Sequence, residues 1–307
     1  MAAQRMLFPD GRWHFQHGPM DIVIGADGHA AAVAAAHAQA WGRFVTLLDE
    51  LVAELPLLRL PVQAGRCPLH GGVARRMWQA CAPFSSCFIT PMAAVAGAVA
   101  QELVACYERD GIQRAWINNG GDIALHLAPG ASVRIGLYAD LARLRARDMV
   151  EGIRTDGQFD VAHRMPVRGV ATSGWRGRSF SLGIADSVTV LAATAAQADA
   201  AASMIANAVD VADARITRRP ACELKDDSDL GTIPVTADVP RLAPAQVRKA
   251  LSAGLARAHA LRAAGLVHAA FLVCQGQVAS TTHDCGIAYQ DANALAPAAH
   301  EFGSVFA

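Results

Sequence analysis

The sequence has little charge and few aromatic residues, and neither sign of charge is in excess. Charged residues make up 18% of its 307 residues and aromatic residues 6%, with 27 basic and 27 acidic side chains. A nucleic-acid-binding surface needs a basic excess, and a base-stacking surface needs aromatic side chains. The composition therefore argues against a nucleic-acid partner.

The sequence also lacks the marks of a membrane, secreted or disulfide-rich protein. It has no uncharged apolar run of about twenty residues, the length that a transmembrane helix needs. Residues 1–19 lack the apolar core of a signal peptide. The seven cysteines are odd in number and none has Cys-x-x-Cys spacing, so neither a disulfide scaffold nor a zinc site is expected. These absences predict a cytoplasmic protein with no membrane partner.

What the sequence does contain is alanine and short apolar strands. Hydrophobic residues make up 53% of the chain, and much of that share is alanine, which favours closely packed helices. Periodicity predicts strands on both sides of Gly18, a helix over 30–55, strands within 114–127 and 133–138, and a helix and hairpin within 244–279. The polar, acidic stretch 222–238 is expected to be a loop or lid. The pattern predicts short strands and packed Ala-rich helices.

Residues 88–105 predict the end of a strand followed by an alanine-rich helix. Thr90 is a favourable N-cap, and Pro91 suits the first helical position. Gly97 lies inside this helix, where glycine costs ~1 kcal/mol relative to alanine. We therefore expect another part of the protein, or a ligand, to approach Gly97 closely.

The sequence INNGGDIAL at 117–125 has two interpretations. Asn-Gly favours a two-residue hairpin turn, because both positions accept a positive φ. Alternatively, consecutive backbone N–H groups and amide side chains can bind a phosphate or a ring edge. The spacing leaves both interpretations open for the candidate ligand-binding residues Asn118, Asn119, Gly120, Gly121 and Asp122.

Residues 169–206 contain a polar loop, an apolar strand and a small-residue helix in succession. This order commonly presents a ligand site on a rigid frame. Hydroxyl groups, glycines and two guanidinium groups suit a phosphate or carboxylate ligand, although an ordinary polar loop fits the same residues. The candidate ligand-binding residues of this loop are Thr172, Ser173, Gly174, Arg176 and Arg178.

Asp199 and Ser203 lie four residues apart in the helix that follows, so they share one face. The start of that helix matches a capping box, with Thr194 and Gln197 in the two capping positions. Carboxylate and hydroxyl oxygens are suitable ligands for Mg²⁺, which also retains several waters. An acidic residue near a helix N-terminus also gains ~0.3–1 kcal/mol from the helix dipole without any metal. The spacing alone leaves both explanations open.

Together these stretches resemble the ApbE-like superfamily, whose best-known members are FAD:protein FMN transferases, and most closely a short cytoplasmic branch of UPF type. The resemblance implies an α+β fold with mixed, mainly antiparallel sheets and packed Ala-rich helices. It would form one ApbE-like domain of two packed halves at residues 1–280, with the site between the halves, and a loosely held tail at 281–307. It rests on GPMDIVI at 18–24, GGVARRMWQA at 71–80, FITPMAAVAGAVAQEL at 88–103, INNGGDIAL at 117–125, GVATSGWRGRSFSLGIADSVTVLA at 169–192 and ADAAASMIANAVD at 198–210.

The resemblance implies a role for several of these residues. In the transferases an Asn-x-Gly-Gly-Asp turn lies beside the flavin nucleotide, and it is followed by a Thr-Ser-Gly loop. An Asp-x-x-x-Thr motif and a backbone carbonyl hold a divalent metal. The matching residues are Asn118, Gly120, Gly121 and Asp122 for the turn, Thr172, Ser173 and Gly174 for the loop, and Asp199, Ser203 and Ala93 for the metal.

The sequence departs from the transferases at two places. Ala96 stands where they carry a lysine, and residues 178–186 stand where they carry a histidine-to-proline-glycine segment. The resemblance therefore implies the fold and a nucleotide-like or anionic small-molecule ligand more directly than it implies the reaction.

Three functions fit these observations. The first is an enzyme, either an FMN transferase or an FAD pyrophosphatase, that uses Mg²⁺ at the pyrophosphate of a dinucleotide, with Arg176 and Arg178 binding phosphate. The second is a carrier of a flavin- or pterin-type cofactor without chemistry of its own, and the third is a structural protein. The sequence assigns no catalytic residue. Its alanine-rich helices and low charge are compatible with a homodimer.

Overall fold

The computed structural model describes residues 2–137, 157–177, 179–282 and 304–306. The strands are β1 (Gln4–Leu7), β2 (Trp13–His17), β3 (Met20–Gly28), β4 (Ile112–Asn119), β5 (Asp122–Leu127), β6 (Ser132–Leu137), β7 (Gly157–Ala162), β8 (Gly169–Ser173), β9 (Ser187–Ala192), β10 (Thr217–Pro220), β11 (Pro234–Asp238), β12 (Ala269–Cys274), β13 (Gln277–Ser280) and β14 (Ser304–Phe306). The helices are α1 (Ala30–Ala53), α2 (Leu55–Leu58), α3 (Gly72–Cys81), α4 (Val95–Val104), α5 (Ala195–Ala208), α6 (Ala221–Leu224) and α7 (Pro244–Ala263). Short 3₁₀ turns lie at Ala82–Phe84, Pro91–Ala94 and Ala105–Tyr107.

Most strands belong to one large sheet with the order β1-β2-β3-β4-β5-β8-β9-β12-β13. All neighbours in this sheet are antiparallel. A smaller sheet has the order β14-β6-β7, in which β14 runs parallel to β6, and β10 and β11 form a separate antiparallel pair. The predicted α+β fold with mainly antiparallel sheets is therefore confirmed.

The large sheet is covered on both faces. Helices cover one face, and the hydrophobic core beneath them includes Ile117 and Ala124. On the opposite face, Trp116 and Ile123 belong to a second core, shared with residues of β6 and β7. Successive side chains of a strand point to opposite faces of the sheet. The residues that alternate with Ile117 and Ala124 along β4 and β5 therefore face away from the helices, and those two positions removed from them face the helices.

Helix α5 lies at the centre of the helical layer. It contacts strands β5, β8 and β9 and helices α3, α4 and α7. Its neighbours approach it at two glycines. A Cβ atom added to Gly97 would lie 2.3 Å from the carbonyl oxygen of Ala195, and one added to Gly169 would lie 2.2 Å from the Ala195 nitrogen. The close approach expected at Gly97 is thus confirmed, and α5 is the partner.

The segment before α4 differs from the expectation. The strand expected at Phe88–Ile89 is absent; the Ile89 carbonyl accepts one hydrogen bond, from Val62 N at 2.8 Å. Thr90 precedes the 3₁₀ turn Pro91–Ala94, and α4 begins only at Val95. The Thr90 hydroxyl does not cap this turn, because it donates to a carboxylate elsewhere in the chain.

Two further observations bear on the expected class of protein. Within the part of the chain that the structure describes, no helix combines the length and apolar character needed to cross a bilayer. The six described cysteines, Cys67, Cys81, Cys87, Cys106, Cys222 and Cys274, are free thiols. Most of the tail expected at 281–307 lies outside the described residues.

Candidate functional site

Two carboxylates from distant parts of the sequence come together beside α5. Asp122 begins β5, and its side chain is 8% exposed. It lies on the face of the sheet that carries Ala124, which packs in the core beneath the helices. Asp199 lies in the second turn of α5 and is partly exposed. The order of the strands thus places Asp122 opposite this part of α5.

Backbone N–H groups hold both carboxylates. Asp122 Oδ1 accepts a hydrogen bond from Thr172 N at 3.2 Å, which joins the hairpin turn to the Thr-Ser-Gly loop. Asp199 Oδ2 accepts a hydrogen bond from Gly97 N at 2.9 Å. Each carboxylate is therefore positioned by the backbone of a neighbouring element.

Burial shifts the proton affinity of both carboxylates. Burial raises the pKa of Asp122 to about 7, although the hydrogen bond from Thr172 acts in the opposite direction. Burial also raises the pKa of Asp199 well above its usual range, and the negative charge of Asp122 raises it further, against the effect of backbone amides at Gly97 and Ala96. When two neighbouring carboxylates in a low-dielectric site are both ionised, their repulsion costs free energy. A shared proton or a bound cation would relieve this repulsion.

The β4–β5 turn is a hairpin with two glycines at its centre. Gly120 and Gly121 have φ angles of 68° and 111°. Asn119 pairs with Asp122 across the turn, so the two-residue loop is Gly-Gly rather than Asn-Gly. The hairpin interpretation of this stretch is correct, and the glycines fill the positions that need positive φ.

Both asparagines stabilise this turn. Asn118 Oδ1 accepts a hydrogen bond from Gly121 N at 2.8 Å. Asn119 is buried, and its Nδ2 donates to the carbonyl oxygen of Ala96 at 3.1 Å. Asn119 thereby ties the hairpin to the first turn of α4. A direct role of these amides in ligand binding stays a prediction.

The Thr-Ser-Gly loop presents its hydroxyl groups on opposite faces of the sheet. Thr172 pairs with Thr189, and their hydroxyl oxygens lie 2.9 Å apart. Both occupy the face of Val170, which packs toward the small sheet. Thr172 therefore contacts the Asp122 carboxylate through its N–H group, whereas the Ser173 side chain is on the helical face.

Arg176 is turned toward an internal carboxylate. Its guanidinium group lies 4.9 Å from the centre of the Trp175 ring, and its Nε atom lies 3.9 Å from Asp186 Oδ1. Asp186 Oδ2 in turn accepts a hydrogen bond from Gln275 N at 2.5 Å. Arg176 is therefore paired with Asp186 in this structure, and its binding of a phosphate stays a prediction. The other candidate guanidinium, Arg178, is outside the described residues.

The three candidate metal-ligating residues lie on adjoining elements. Ser203 is one turn after Asp199 on α5 and is likewise partly exposed. The 3₁₀ turn that contains Ala93 packs against α5. No cluster of three or more His, Cys, Asp or Glu side chains suited to a metal occurs in the described ranges. The candidate donor set is instead one carboxylate, one hydroxyl and one carbonyl, a hard-oxygen set that suits Mg²⁺ with additional waters.

A further acidic residue, Asp229, belongs to this region, and the sequence did not indicate it. The buried Thr90 hydroxyl donates a hydrogen bond to the Asp229 carboxylate, and Cys81 Sγ donates to the Thr90 carbonyl oxygen at 3.3 Å. Burial raises the pKa of the Cys81 thiol, and the charges of Asp199 and Asp229 raise it further. Cys81 is therefore near both carboxylates. Asp229 lies in an acidic stretch without periodicity, which gave no signal beyond its charge.

The segment between β10 and β11 is held against Thr90, the residue that precedes the 3₁₀ turn before α4. Strand β11, which follows this segment, is tied to Ser181, whose carbonyl oxygen accepts a hydrogen bond from Thr236 N at 2.9 Å. The middle is fixed by the contact of Asp229 with Thr90, and Asp227 lies 3.7 Å from Arg59 Nη1. We call residues 225–233 the cover loop. The loop expected over 222–238 is correct for this part, whereas residues 222–224 belong to α6 and residues 234–238 form β11.

Two surface clefts lie elsewhere. A cleft of about 580 Å³ between β1–β3 and α1 is lined by residues that include Trp13 and His37. Another, of about 360 Å³, is lined by residues that include Arg43 and Glu102. Neither includes Asp122 or Asp199 in its lining. We place the candidate site at the carboxylate pair because groups whose pKa is shifted by burial and by a neighbouring charge are concentrated at functional sites.

Most of the chain matches the model of a known protein family. The family model described as AbpE bacteria matches residues 5–280. The chain belongs to the AbpE bacteria family. This membership confirms the expected relation to ApbE-like proteins and to their UPF-type branch.

The relatives of this AbpE-family chain include UPF0280 proteins of methanogens. The UPF0280 protein of Methanospirillum hungatei is 37% identical over 126 residues, which cover 41% of this chain and 47% of that protein. The chain thus aligns with about half the length of that relative. The UPF0280 protein of Methanopyrus kandleri is 36% identical over 214 residues, which cover 67% of this chain and 78% of that protein.

A solved structure also aligns with this AbpE-family chain. It is the apo form of the flavinyl transferase ApbE from Pseudomonas stutzeri, with a TM-score of 0.41 and 13% sequence identity. The alignment covers 91% of this chain and 94% of that chain.

Proposed function

We propose that this protein binds a dinucleotide such as FAD with Mg²⁺ and breaks its pyrophosphate bond, with transfer of the nucleotidyl group to water or to an acceptor hydroxyl. The pair formed by Asp122 and Asp199 carries the proposal. The pKa of each carboxylate is raised, and the charge of Asp122 acts directly on Asp199. A divalent cation would neutralise this pair, and Mg²⁺ in proteins is typically bound by one or two carboxylates and substrate phosphates.

Each element of the site has a role in this proposal. Asp199, Ser203 and the Ala93 carbonyl would hold Mg²⁺, which would neutralise negative charge on the phosphate oxygens. Gly97 N and Thr172 N would keep the two carboxylates in place, as they do in this structure. Arg176 would exchange its contact with Asp186 for a phosphate oxygen. Arg178 is proposed to bind phosphate beside it.

The proposed reaction of FAD is balanced without a further reactant. An oxygen of water or of an acceptor hydroxyl forms a bond to the phosphorus of the FMN half, while the bond from that phosphorus to the bridging oxygen breaks. AMP leaves with the bridging oxygen, and the attacking oxygen loses its proton. The products are AMP and either free FMN or FMN joined to the acceptor.

A carrier of a flavin- or pterin-type cofactor without catalysis is the second candidate. Ala96 favours it, because this residue occupies the place of the lysine of the transferases and its methyl group offers neither charge nor proton. In this structure the Ala96 carbonyl serves to anchor Asn119 at 3.1 Å. The pocket would then bind the ligand and leave its pyrophosphate intact.

The experiment that separates these functions is incubation of the purified protein with FAD and Mg²⁺ while AMP and FMN release are measured. The variant Asp199→Asn keeps an oxygen for the Gly97 N–H and removes the charge. This variant should lose several kcal/mol of the stabilisation that the metal gives to the transition state. Its release of AMP and FMN should therefore be slower than that of wild type by ~10²-fold or more. Asp160→Asn, on β7 in the small sheet, is the matched control and should leave release unchanged.

Three outcomes are distinct. Release that requires both Mg²⁺ and Asp199 supports the enzyme. FAD that is bound and recovered intact supports the carrier. FAD that is neither bound nor cleaved contradicts both functions.

A further inference from the structure

The cleft of about 580 Å³ between α1 and strands β1 to β3 is separate from the carboxylate pair. Clefts of ~300–1,000 Å³ commonly bind small molecules. The space is open because the small residues Ala30, Ala34 and Ala38 follow one another at four-residue intervals on α1 and line the helical side. Arg5 of β1 and Trp13 of β2 line the side formed by the sheet. The cleft therefore combines an apolar helical side with a cation and an aromatic ring.

Arg5 brings a positive charge to this cleft. Its guanidinium carbon lies 5.3 Å from the centre of the Trp13 ring and 5.0 Å from that of the Trp41 ring. Arg5 is exposed, and no carboxylate or other hydrogen-bond acceptor contacts its guanidinium group among the described residues. A guanidinium group over aromatic rings keeps its charge, and its N–H donors match the two oxygens of a carboxylate. Arg5 is therefore held by the two indole rings and can bind an anion.

The acidic side chain in the lining already has a cation of its own. Asp27 lines the same cleft, and its carboxylate accepts a hydrogen bond from Arg114 Nε. Asp27 therefore does not offset the charge of Arg5. The described lining has one positive charge without an acidic partner, and this balance favours a ligand with a single negative charge.

His37, which is partly exposed in the lining, supplies a second hydrogen-bond donor. Its Nδ1 atom lies 2.7 Å from the hydroxyl oxygen of Tyr107, which is fully buried and has no other hydrogen-bond partner in the described ranges. A buried O–H group that donates to nothing costs free energy, so Tyr107 donates to Nδ1. Burial lowers the pKa of His37 and keeps its ring neutral at pH 7, so the ring proton lies on Nε2. The His37 ring centre lies 6.1 Å from that of Trp13, so His37 and Arg5 both contact this indole ring.

We propose that this cleft is a second ligand site, for a small monoanion that joins a carboxylate to a planar apolar group. The Arg5 guanidinium group pairs with the carboxylate, and the His37 Nε2–H group donates to an oxygen of the ligand. The planar group lies against the Trp13 ring and the alanines of α1, which supply apolar surface. A dinucleotide fits this cleft less well, because its pyrophosphate has two negative charges and the described lining offers one cation without an acidic partner.

The test uses calorimetric titration of the full chain with 2-naphthoate and with its neutral isostere 2-naphthamide. Wild type should bind naphthoate ~10-fold more tightly than naphthamide, or more, because the amide lacks the charge that Arg5 binds. Arg5→Met keeps a long side chain beside the indole rings and removes the charge. It should weaken naphthoate binding by ~10-fold or more and leave naphthamide binding nearly unchanged. Arg248→Met makes the same substitution at an exposed position of α7 and should retain the wild-type affinities.

A second pair of variants tests where the probe binds. Ala34 is an exposed residue in the helical side of the cleft, so Ala34→Leu fills part of the space and should weaken the binding of both probes. Ala35→Leu, at the next exposed position of α1 and outside the lining, is the matched control and should bind both probes as wild type does. Leucine and alanine are both favourable in helices, so neither variant should be markedly less resistant to urea.

The outcomes for this cleft do not depend on the proposed function, because neither probe has a phosphate. Naphthoate binding that is weakened by Arg5→Met and by Ala34→Leu, but by neither control, supports the site. A wild-type protein that does not bind naphthoate would overturn the proposal. So would equal naphthoate affinities of wild type and Arg5→Met, or of Ala34→Leu and Ala35→Leu.

Discussion

The Gly97 backbone N–H donates to Asp199 Oδ2 at 2.9 Å, and a Cβ atom on Gly97 would lie 2.9 Å from the Asp199 Cβ atom. The same added atom would lie 2.3 Å from the Ala195 carbonyl oxygen. The absence of a side chain at Gly97 therefore allows α4 to approach α5 and lets a backbone amide reach the carboxylate.

Gly97→Ala should lower stability despite the higher helix propensity of alanine. Separating the two helices should cost ~1–3 kcal/mol, as measured by urea unfolding. The matched control is Gly42→Ala, at an exposed position in the interior of α1 where an added Cβ meets nothing within 4 Å. This control should gain ~0.5–1 kcal/mol. A neutral Gly97→Ala would mean that the two helices are less tightly packed than described.

Stability without divalent cations should fall as the pH rises from about 4 to about 7. Burial raises the pKa of Asp122 from 3.8 to about 7. The folded state therefore retains a proton that the unfolded state has already released in this range, so the free energy of unfolding decreases with pH across it.

Asp122→Asn should remove much of this dependence. At pH 8 the variant should be more stable than wild type by on the order of 1–3 kcal/mol, and near pH 4 the two should converge. Urea unfolding in EDTA at a series of pH values measures both curves. The same pH slope in wild type and variant would show that Asp122 ionises normally.

Mg²⁺ should stabilise wild type and should not stabilise Asp199→Asn. A ligand at one hundred times its dissociation constant adds ~2.7 kcal/mol to the stability of the folded state, which a thermal melt detects. Asp160→Asn should respond as wild type does. Equal responses of wild type and Asp199→Asn would place the cation elsewhere.

The contact of Thr90 with Asp229 should control the opening of the cover loop. The chain has two lysines, Lys225 at the start of this loop and Lys249 in α7. A lysine-specific protease should therefore cut first after Lys225. Thr90→Val leaves the Asp229 carboxylate without the Thr90 hydroxyl, and a hydrogen bond to a charged group is worth ~1.5–3 kcal/mol, so cutting should be ~10-fold faster or more.

Thr232→Val is the control for this experiment, because it makes the same substitution at an exposed position of the cover loop. It should be cut at nearly the wild-type rate. If FAD and Mg²⁺ bind beneath the loop, they should slow the cut in both wild type and this control. A Thr90→Val protein that is cut no faster than wild type would show that the contact does not restrain the loop.

The sequence predicted the elements that depend on local rules. The hairpin at 118–122 follows from glycines that accept positive φ, and both have it. The capping role of Thr194 follows from its spacing to Gln197, and the structure has this hydrogen bond at 3.3 Å. The prediction that Thr90 caps the helix was wrong, because its hydroxyl donates to the carboxylate of Asp229, which is far away in the sequence. No local rule anticipates such a partner.

The sequence by itself determined the α+β class, most helices and strands, the hairpin turn and the family, because these depend on periodicity, on turn residues and on the order of short motifs. Only the tertiary structure decided how the candidate residues are arranged. Strand β5 pairs with β8, and this pairing brings Asp122 to Thr172 and opposite α5. It also directs the Thr172 hydroxyl away from the carboxylates. Such long-range pairings depend on how the sheet and helices pack together, which the local pattern of residues does not specify.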